Sequence, residues 1–267
     1  FNQVINKGHS IINSDDRFWK QVRDASRGKV ITYAIENNAD LQVEKINLAP
    51  GSVSFRVKND VNFEINLNLS GRFNVYNSLA AIGTALSLDI SPEIIKAGLE
   101  GIEGVAGRFE LIREGQNFTV VVDYAHTPDG MENVLKTAAE LRPENIISVF
   151  GCGGDRDRGK RPQMGKIAVE YSNYSILTSD NPRSENPGDI IAEIEKGIDE
   201  KYVDKYEIIS DRRDAIFYAV NQAQEDDIII IFGKGHETYQ VFSDKTIHFD
   251  DREVARKALQ KRMKNRS

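Results

Sequence analysis

Four short segments of the chain are rich in charged and other polar residues and follow directly after apolar runs. They are DYAHTPDG (123–130), GCGGDRDRGKRP (151–162), SDNPRSENP (179–187) and GKGHET (233–238). Such side chains hold charged small molecules, because an arginine fork binds a carboxylate or phosphate and a carboxylate binds an ammonium group. One such segment alone is best explained as a polar surface loop. The interpretation therefore depends on whether the fold brings all four together.

The apolar runs that precede these segments predict a parallel β-sheet, since they are apolar throughout rather than alternating. They cover residues 118–124, 145–150, 174–179, 206–210 and 227–232. Amphipathic stretches follow them near residues 129–141, 162–172, 188–201, 211–224 and 250–265. This alternation predicts a doubly wound α/β domain. Ligands of such domains bind beyond the carboxyl ends of the strands, so we expect the four segments along one edge of the sheet.

The first hundred residues have a mixed pattern. Strands are predicted at residues 29–35, 52–58 and 61–69, the last two as a hairpin, and helices near residues 74–88 and 91–100. The glycine-rich segment GIEGVAG (101–107) then suggests a hinge between domains. We therefore expect one domain over residues 1–106 and a second over residues 107–267.

The composition excludes several classes of protein. The net charge of −6 argues against a nucleic-acid or anionic-membrane partner, and no apolar run approaches the roughly 18 residues of a membrane span. Cys152 is the one cysteine, so no disulfide can form within the chain, which fits a reducing cytoplasm. There is no H-E-x-x-H zinc motif and no G-x-S-x-G serine-hydrolase motif. Because the chain begins with Phe1 rather than methionine, we expect a fragment or a processed product.

Residues 154–160 match the G-x-x-x-x-G-K pattern of a phosphate-binding P-loop. However, Arg161 occupies the position where a serine or threonine hydroxyl would hold Mg²⁺, and the opposed charges inside the loop suit a phosphate poorly. We therefore interpret the segment as something other than a working P-loop. Lys160 could still reach a phosphate and Arg156 a carboxylate, and the alternative is an exposed ion-pair network.

Six segments, in this order, resemble the Mur ligases of peptidoglycan synthesis: GRFNVYNSLAAIGTAL, GRFE, VVDYAHTPDGMENVL, GCGGDRDRGKRPQMG, TSDNPRSENP and GKGHETYQ. The similarity covers nearly the whole chain and is closest to the tripeptide synthetases of that family. It implies the latter part of a central ATPase domain over residues 1–106 and a Rossmann-like domain over residues 107–267. It also implies that the family's P-loop, Mg²⁺ ligands, carbamylated lysine and UDP-binding domain lie upstream, so the isolated chain is expected to be inactive.

The resemblance implies amide ligation with ATP and Mg²⁺ as cofactors, in a cytoplasmic monomer without nucleic-acid or membrane partners. ATP would phosphorylate the side-chain carboxylate of D-Glu in UDP-MurNAc-L-Ala-D-Glu, and the amine of meso-diaminopimelate would attack the acyl phosphate. Lys160 and His126 are expected near the phosphates. The residues expected at the ATP base and ribose are Asn74, Asn77, Arg108 and Asp123.

The segment DNPR (180–183) is typical of family members that add meso-diaminopimelate, whose distal carboxylate lysine lacks. The residues that the resemblance assigns to this substrate are Arg156, Asp180, Asn181, Arg183, Gly233 and Glu237. None is assigned to a metal. Glu185 either orients Arg183 or is a solvated charge. The alternatives are a lysine-adding enzyme, another ligase of the superfamily such as folylpolyglutamate synthetase, and a non-catalytic module that binds nucleotide or amino acid.

Overall fold

The computed structural model describes residues 8–58 and 63–265, and it divides the chain into two compact units between Gly104 and Val105. This division falls within the glycine-rich segment 101–107, whereas the sequence-based boundary follows residue 106.

The first unit contains a five-stranded mixed sheet with strand order β1-β2-β3-β4-β5. The pairs β1–β2 and β2–β3 are parallel, while β3–β4 and β4–β5 are antiparallel. The antiparallel pair β4–β5 confirms the predicted hairpin, whose turn at residues 59–61 lies outside the described residues. The elements are β1 (His9–Asn13), α1 (Trp19–Ala25), β2 (Lys29–Ala34), β3 (Leu41–Ala49), β4 (Ser52–Lys58), β5 (Phe63–Leu67), α2 (Arg72–Leu86) and α3 (Pro92–Glu100).

Helix α2 forms one side of the core of this unit. Its Val75, Leu79 and Ile82 are fully buried in a cluster with strand residues that include Phe55. Gly83 allows the helix to lie close to β1, since a Cβ atom there would come within 2.9 Å of Ile11 Cγ2.

The second unit is built on a six-stranded sheet with strand order β10-β9-β8-β11-β7-β6, in which only β6 is antiparallel to its neighbour. A separate antiparallel hairpin is formed by β12 and β13. The elements are β6 (Glu110–Leu111), β7 (Thr119–Asp123), α4 (Pro128–Glu140), β8 (Ile146–Phe150), α5 (Lys160–Tyr171), β9 (Tyr174–Leu177), α6 (Pro187–Glu195), a 3-10 helix (Glu200–Lys205), β10 (Tyr206–Ile208), α7 (Arg212–Gln222), β11 (Ile228–Phe232), β12 (Tyr239–Val241), β13 (Thr246–His248) and α8 (Asp251–Lys264).

The sheet of the second unit has a hydrophobic core on each face. Helices α4, α5 and α6 contribute to one core, while α7 and α8 contribute to the other. All residues of β8 and β11 are buried, which explains why these runs are largely apolar. The predicted doubly wound α/β architecture is confirmed.

Two helices of the second unit begin with a capping side chain followed by proline. Thr127 and Asn186 each precede a proline, and their side chains accept the backbone N–H groups of Gly130 and Gly188. The helix predicted over residues 188–201 is wrong in length, because α6 ends at Glu195. At Gly197 the backbone passes so close to Pro162 O that a Cβ atom would lie only 1.8 Å from it. Helix α6 ends two residues before this close contact.

Candidate functional site

The four segments singled out from the sequence follow β7, β8, β9 and β11, which are neighbours in the parallel sheet. Parallel strands end at the same edge, so the segments lie side by side there. Glycines allow two of them to touch: a Cβ atom at Gly151 would lie 2.2 Å from Thr178 O, and one at Gly154 would lie 1.8 Å from Pro182 O. The fold therefore brings together the loops that carry the predicted site residues of this unit.

Arg183 has a constrained position in the loop after β9. Its φ angle is 54°, in the left-handed region that non-glycine residues rarely adopt. Its backbone N–H donates to Val241 O in β12 at 3.0 Å, and its Nη1 donates to Gly154 O at 2.8 Å. A guanidinium carries five N–H groups, so donors remain for a carboxylate.

Glu185 has a different role from the two that the sequence left open. Both of its oxygens accept hydrogen bonds from the fully buried guanidinium of Arg161, at 2.8 and 3.0 Å, and it pairs with Arg158 at 2.9 Å. It also accepts the N–H of Asp155 at 2.6 Å. The Arg161 and Asp155 hydrogen bonds hold the pKa of Glu185 at about 2. Glu185 therefore joins the loops after β8 and β9.

In the P-loop-like segment, residues 154–160, several hydrogen-bond donors are already paired with acceptors of the protein itself. Gly154 N donates to Asn181 O at 2.8 Å, and Gly159 N donates to the carboxylate of Asp157 at 2.8 Å. Lys160 Nζ donates to His126 O at 2.7 Å, which brings the two expected phosphate-end residues together. Arg156 is exposed, and its Nη1 donates to Asp155 O at 3.0 Å.

A buried polar cluster lies between the loops after β9 and β11. Lys234, whose side chain is 0% exposed, donates from Nζ to Asn181 Oδ1 and to Tyr239 O, each at 2.8 Å. Its Nζ is also 3.7 Å from Asp180 Oδ1 and 3.9 Å from Glu237 Oε2. Asn181 Nδ2 donates to Glu237 Oε2 at 3.0 Å. Burial lowers the pKa of Lys234, and the nearby Asp180 charge opposes this change.

Gly233 provides the space that this cluster needs. Its φ angle is 109°, and a Cβ atom there would lie 2.5 Å from Asp180 Oδ2. Any other residue at this position would displace the Asp180 carboxylate.

A buried ion pair contacts the same edge of the sheet. Arg212 and Asp251 are both fully buried and form a bidentate pair at 2.8 and 2.7 Å. Arg212 also donates to Phe232 O at 2.7 Å and to Ser179 O at 3.3 Å, at the ends of β11 and β9. The sequence analysis missed Lys234, Arg212 and Asp251. A lysine two residues after the apolar run 227–232 was the available signal for the first.

The residues expected at the nucleotide in this unit lie around the end of β7. The Arg108 guanidinium is 5.2 Å from the centre of the Tyr124 ring. The centre of this ring is 4.8 Å from that of the His126 ring and 5.4 Å from that of the His236 ring. This group of rings and a cation suits a nucleotide. Asp123 is buried and accepts the N–H groups of Phe109 and Ala125, each at 2.7 Å. Burial raises its pKa, and the two hydrogen bonds act in the opposite direction.

Asn74 and Asn77 belong to the first unit, on one face of α2. Asn74 Nδ2 donates to Ser70 O at 2.9 Å, and Asn77 Nδ2 donates to Asn74 Oδ1 at 3.2 Å. Both side chains keep some exposure to solvent.

Residues 8–58 and 63–265 contain neither a cluster of metal-ligating side chains nor a membrane-spanning helix. No group of three or more His, Cys, Asp or Glu side chains in this part of the chain could hold a metal ion. None of the helices described is both long and apolar enough to cross a membrane.

Comparison with known proteins identifies two domains of one family. The profile of the Mur ligase middle domain matches residues 1–85. The profile of the Mur ligase, glutamate ligase domain, matches residues 107–235.

Curated relatives and solved structures agree with these matches. The UDP-N-acetylmuramoyl-L-alanyl-D-glutamate–2,6-diaminopimelate ligase of Syntrophomonas wolfei is 47% identical over 97% of the chain and 53% of the relative. The ligase of the same name from Halalkalibacterium halodurans is 48% identical over 95% of the chain and 52% of the relative. The chain thus spans about half the length of these relatives.

A solved structure of a ligase with this name has a TM-score of 0.70 at 36% identity, over 96% of the chain and 53% of that protein. MurF ligase from Thermotoga maritima shares the fold, with a TM-score of 0.65 at 15% identity over 98% of the chain and 55% of that protein. The chain belongs to the Mur ligase family.

Proposed function

We propose that the chain is the catalytic and amino-acid-binding part of an ATP-dependent ligase that adds meso-diaminopimelate to UDP-MurNAc-L-Ala-D-Glu. The relatives that match nearly all of the chain carry the name of this activity. In this proposal residues 1–106 form the latter part of the central ATPase domain, and residues 107–267 form the C-terminal domain.

The observation that carries the proposal is the pairing of an arginine fork with an acidic cluster at one sheet edge. Arg183 Nη1 lies 3.4 Å from Asn181 O, so the guanidinium is next to the loop that carries Asp180 and Asn181. Asp180 and Glu237 together bring two carboxylates to the single ammonium of Lys234. One negative charge is left, which suits the ammonium of an amino acid, while Arg183 and Arg156 suit its carboxylates.

The reaction needs a carboxylate made electrophilic. The terminal phosphoryl group of ATP passes to the D-Glu side-chain carboxylate, and ADP leaves. The neutral amine of meso-diaminopimelate then attacks the acyl carbon, the bond to the phosphate oxygen breaks, and phosphate leaves as the amide forms. Positioning and charge neutralisation do most of the work in such phosphoryl transfers.

The nucleotide residues have suitable chemistry for this role. Asn74 and Asn77 offer amide groups to ATP, Arg108 offers a cation, and Asp123 offers a carboxylate. Lys160 and His126 are in contact with each other and are proposed for the phosphate end of ATP. Mg²⁺ accompanies ATP in this proposal, although the described residues contain no cluster of three or more His, Cys, Asp or Glu side chains that could hold it. We also infer a cytoplasmic monomer, and the net charge of −6 argues against nucleic-acid or anionic-membrane partners.

The test is amino-acid-dependent ATP hydrolysis by the full-length enzyme with UDP-MurNAc-L-Ala-D-Glu. We expect turnover with meso-diaminopimelate and little with lysine, which has no distal carboxylate for Arg183. Turnover with lysine but not with meso-diaminopimelate would contradict the substrate assignment. Turnover with neither would contradict the proposed function.

The Arg183→Ala variant sharpens this test. We expect it to raise KM for meso-diaminopimelate by roughly ten- to a hundredfold, since a charged hydrogen bond is lost, and to leave KM for ATP within about twofold. Arg158→Ala is the control, because Arg158 is 64% exposed and a surface ion pair contributes little. Equal changes in both KM values for Arg183→Ala would indicate a structural role instead.

A further inference from the structure

We propose that Lys234 is a positioning residue that fixes the side chains of Asn181 and Glu237 in the amino-acid pocket. The inference rests on the proposed function, because the pocket is the one assigned there to meso-diaminopimelate. Lys234 itself is fully buried, so it acts through its neighbours rather than by contact with the substrate.

The hydrogen bonds of Asn181 determine which way its amide group faces. Its Oδ1 accepts from Lys234 Nζ at 2.8 Å and from Val241 N at 3.0 Å. A carbonyl oxygen has two lone pairs, so these two donors occupy the oxygen side of the amide. The Nδ2 group must then face Glu237 Oε2, to which it donates at 3.0 Å. Lys234 therefore fixes Glu237 through Asn181.

The charge of Lys234 also keeps two carboxylates in one small space. Asp180 Oδ1, in the loop after β9, lies 3.7 Å from Nζ, and Glu237 Oε2, in the loop after β11, lies 3.9 Å from it. Like charges this close repel each other unless a cation lies between them. Without the lysine ammonium, nothing at this point would offset the repulsion between the two carboxylates, and they would move apart.

The backbone contacts of Lys234 extend this role to a third segment. Nζ donates to Tyr239 O at 2.8 Å, at the start of β12. In the same strand, Val241 O accepts the N–H of Arg183, and Gln240 Nε2 donates to Asp180 O at 2.6 Å. One buried side chain thus connects the loop after β11, the loop after β9 and strand β12, which together carry the proposed pocket.

The experiment compares Lys234→Met with wild type in the full-length enzyme, since methionine keeps most of the volume but no donor and no charge. We expect KM for meso-diaminopimelate to rise roughly ten- to a hundredfold, with KM for ATP within about twofold. If Lys234→Met does not fold, Lys234→Gln is measured in the same way, and a smaller change in the same direction is expected.

Arg262→Met is the matched control for the loss of a buried cation. Arg262 is 6% exposed and donates to Val220 O and Ala223 O at the end of α7, where the chain returns to the opposite edge of the sheet. The Arg262→Met variant should lower Tm but leave both KM values unchanged. Similar KM changes for Arg262→Met and Lys234→Met, or a KM for meso-diaminopimelate unchanged in Lys234→Met, would overturn the inference.

A crystal structure of Lys234→Met gives a readout that is independent of turnover. We expect the Asn181–Glu237 hydrogen bond to be lost, and its retention would also overturn the inference. If the wild type does not use meso-diaminopimelate, the proposed function fails, and this structure alone decides whether Lys234 positions the two side chains.

Discussion

Glu185 illustrates how single residues hold the site loops in place. It accepts hydrogen bonds from Arg161, which is fully buried, and from the backbone of Asp155. Asp155 in turn accepts the hydroxyl of Ser184 at 2.6 Å. These contacts join the loop after β8, which carries Arg156, to the loop after β9, which carries Arg183. They also give a physical reason for arginine at position 161, where a P-loop would have a hydroxyl.

Glu185 should make the stability of the second unit depend on pH in acid. Its pKa is held at about 2, below its ordinary value of 4.5. A carboxylate with a lowered pKa stabilises the fold fully above its ordinary pKa, and this contribution is lost as the pH falls toward the lowered value. We expect Tm of wild type and of Glu185→Gln to differ most above pH 4.5 and to converge toward pH 2.

The measurement is thermal unfolding of both proteins across this pH range. Asp189→Asn is the control, since Asp189 is an exposed residue of the first turn of α6. A difference in Tm between wild type and Glu185→Gln that stays constant with pH would contradict the prediction.

At the level of elements, the strands that are buried on both faces were predictable and the irregular segments were not. β7, β8 and β11 begin and end within two residues of the predicted runs, because full burial requires apolar side chains throughout. β1 and β3 were missed, since β1 is short and β3 carries charged residues and an irregular register between Glu44 and Asn47.

The β12–β13 hairpin was the most consequential element that the sequence did not reveal. Its strands are only three residues long, and β13 is exposed throughout, so no apolar pattern marks it. Yet β12 accepts the N–H of Arg183 and the Nζ proton of Lys234. The types of side chain in the candidate site could therefore be predicted, but the hydrogen bonds that position them depend on a segment without a sequence signal.

The packing of α5 on α6 predicts an unusual effect of alanine at Gly165. Alanine normally stabilises a helix relative to glycine, but a Cβ atom at Gly165 would lie 2.3 Å from Ile194 O. We expect Gly165→Ala to lower the free energy of unfolding by about 1–3 kcal/mol, because the two helices must separate.

Gly98 in α3 provides the matched control. It is exposed, and a Cβ atom there would meet nothing within 4 Å. Gly98→Ala should therefore raise the free energy of unfolding by about 0.5–1 kcal/mol. Denaturant unfolding followed by circular dichroism measures both variants. Stabilisation by both alanines would show that the close contact of α5 with α6 is relaxed in solution.

For the whole molecule, the comparisons show a member of the Mur ligase family, for which we propose ligase activity. The chain spans 53% and 52% of the first two relatives, and the two family profiles match different units. The second unit carries the proposed amino-acid pocket, whose arginine fork and acidic cluster are complete within it. Phosphoryl transfer from ATP requires other groups, namely a phosphate-binding loop and a site for Mg²⁺.

We expect the isolated 267-residue chain to show no ATP hydrolysis above background. Residues 154–160 are its one G-x-x-x-x-G-K match. In this segment Gly154 N donates a hydrogen bond to Asn181 O and Lys160 Nζ donates one to His126 O. These groups therefore do not form an open cradle for phosphate. Over the described residues, no cluster of three or more His, Cys, Asp or Glu side chains could hold a metal ion either. Phosphate release is measured with and without meso-diaminopimelate, with the full-length enzyme as the positive control. Steady hydrolysis by the isolated chain that disappears in Lys160→Ala would identify residues 154–160 as a working phosphate loop and contradict the prediction.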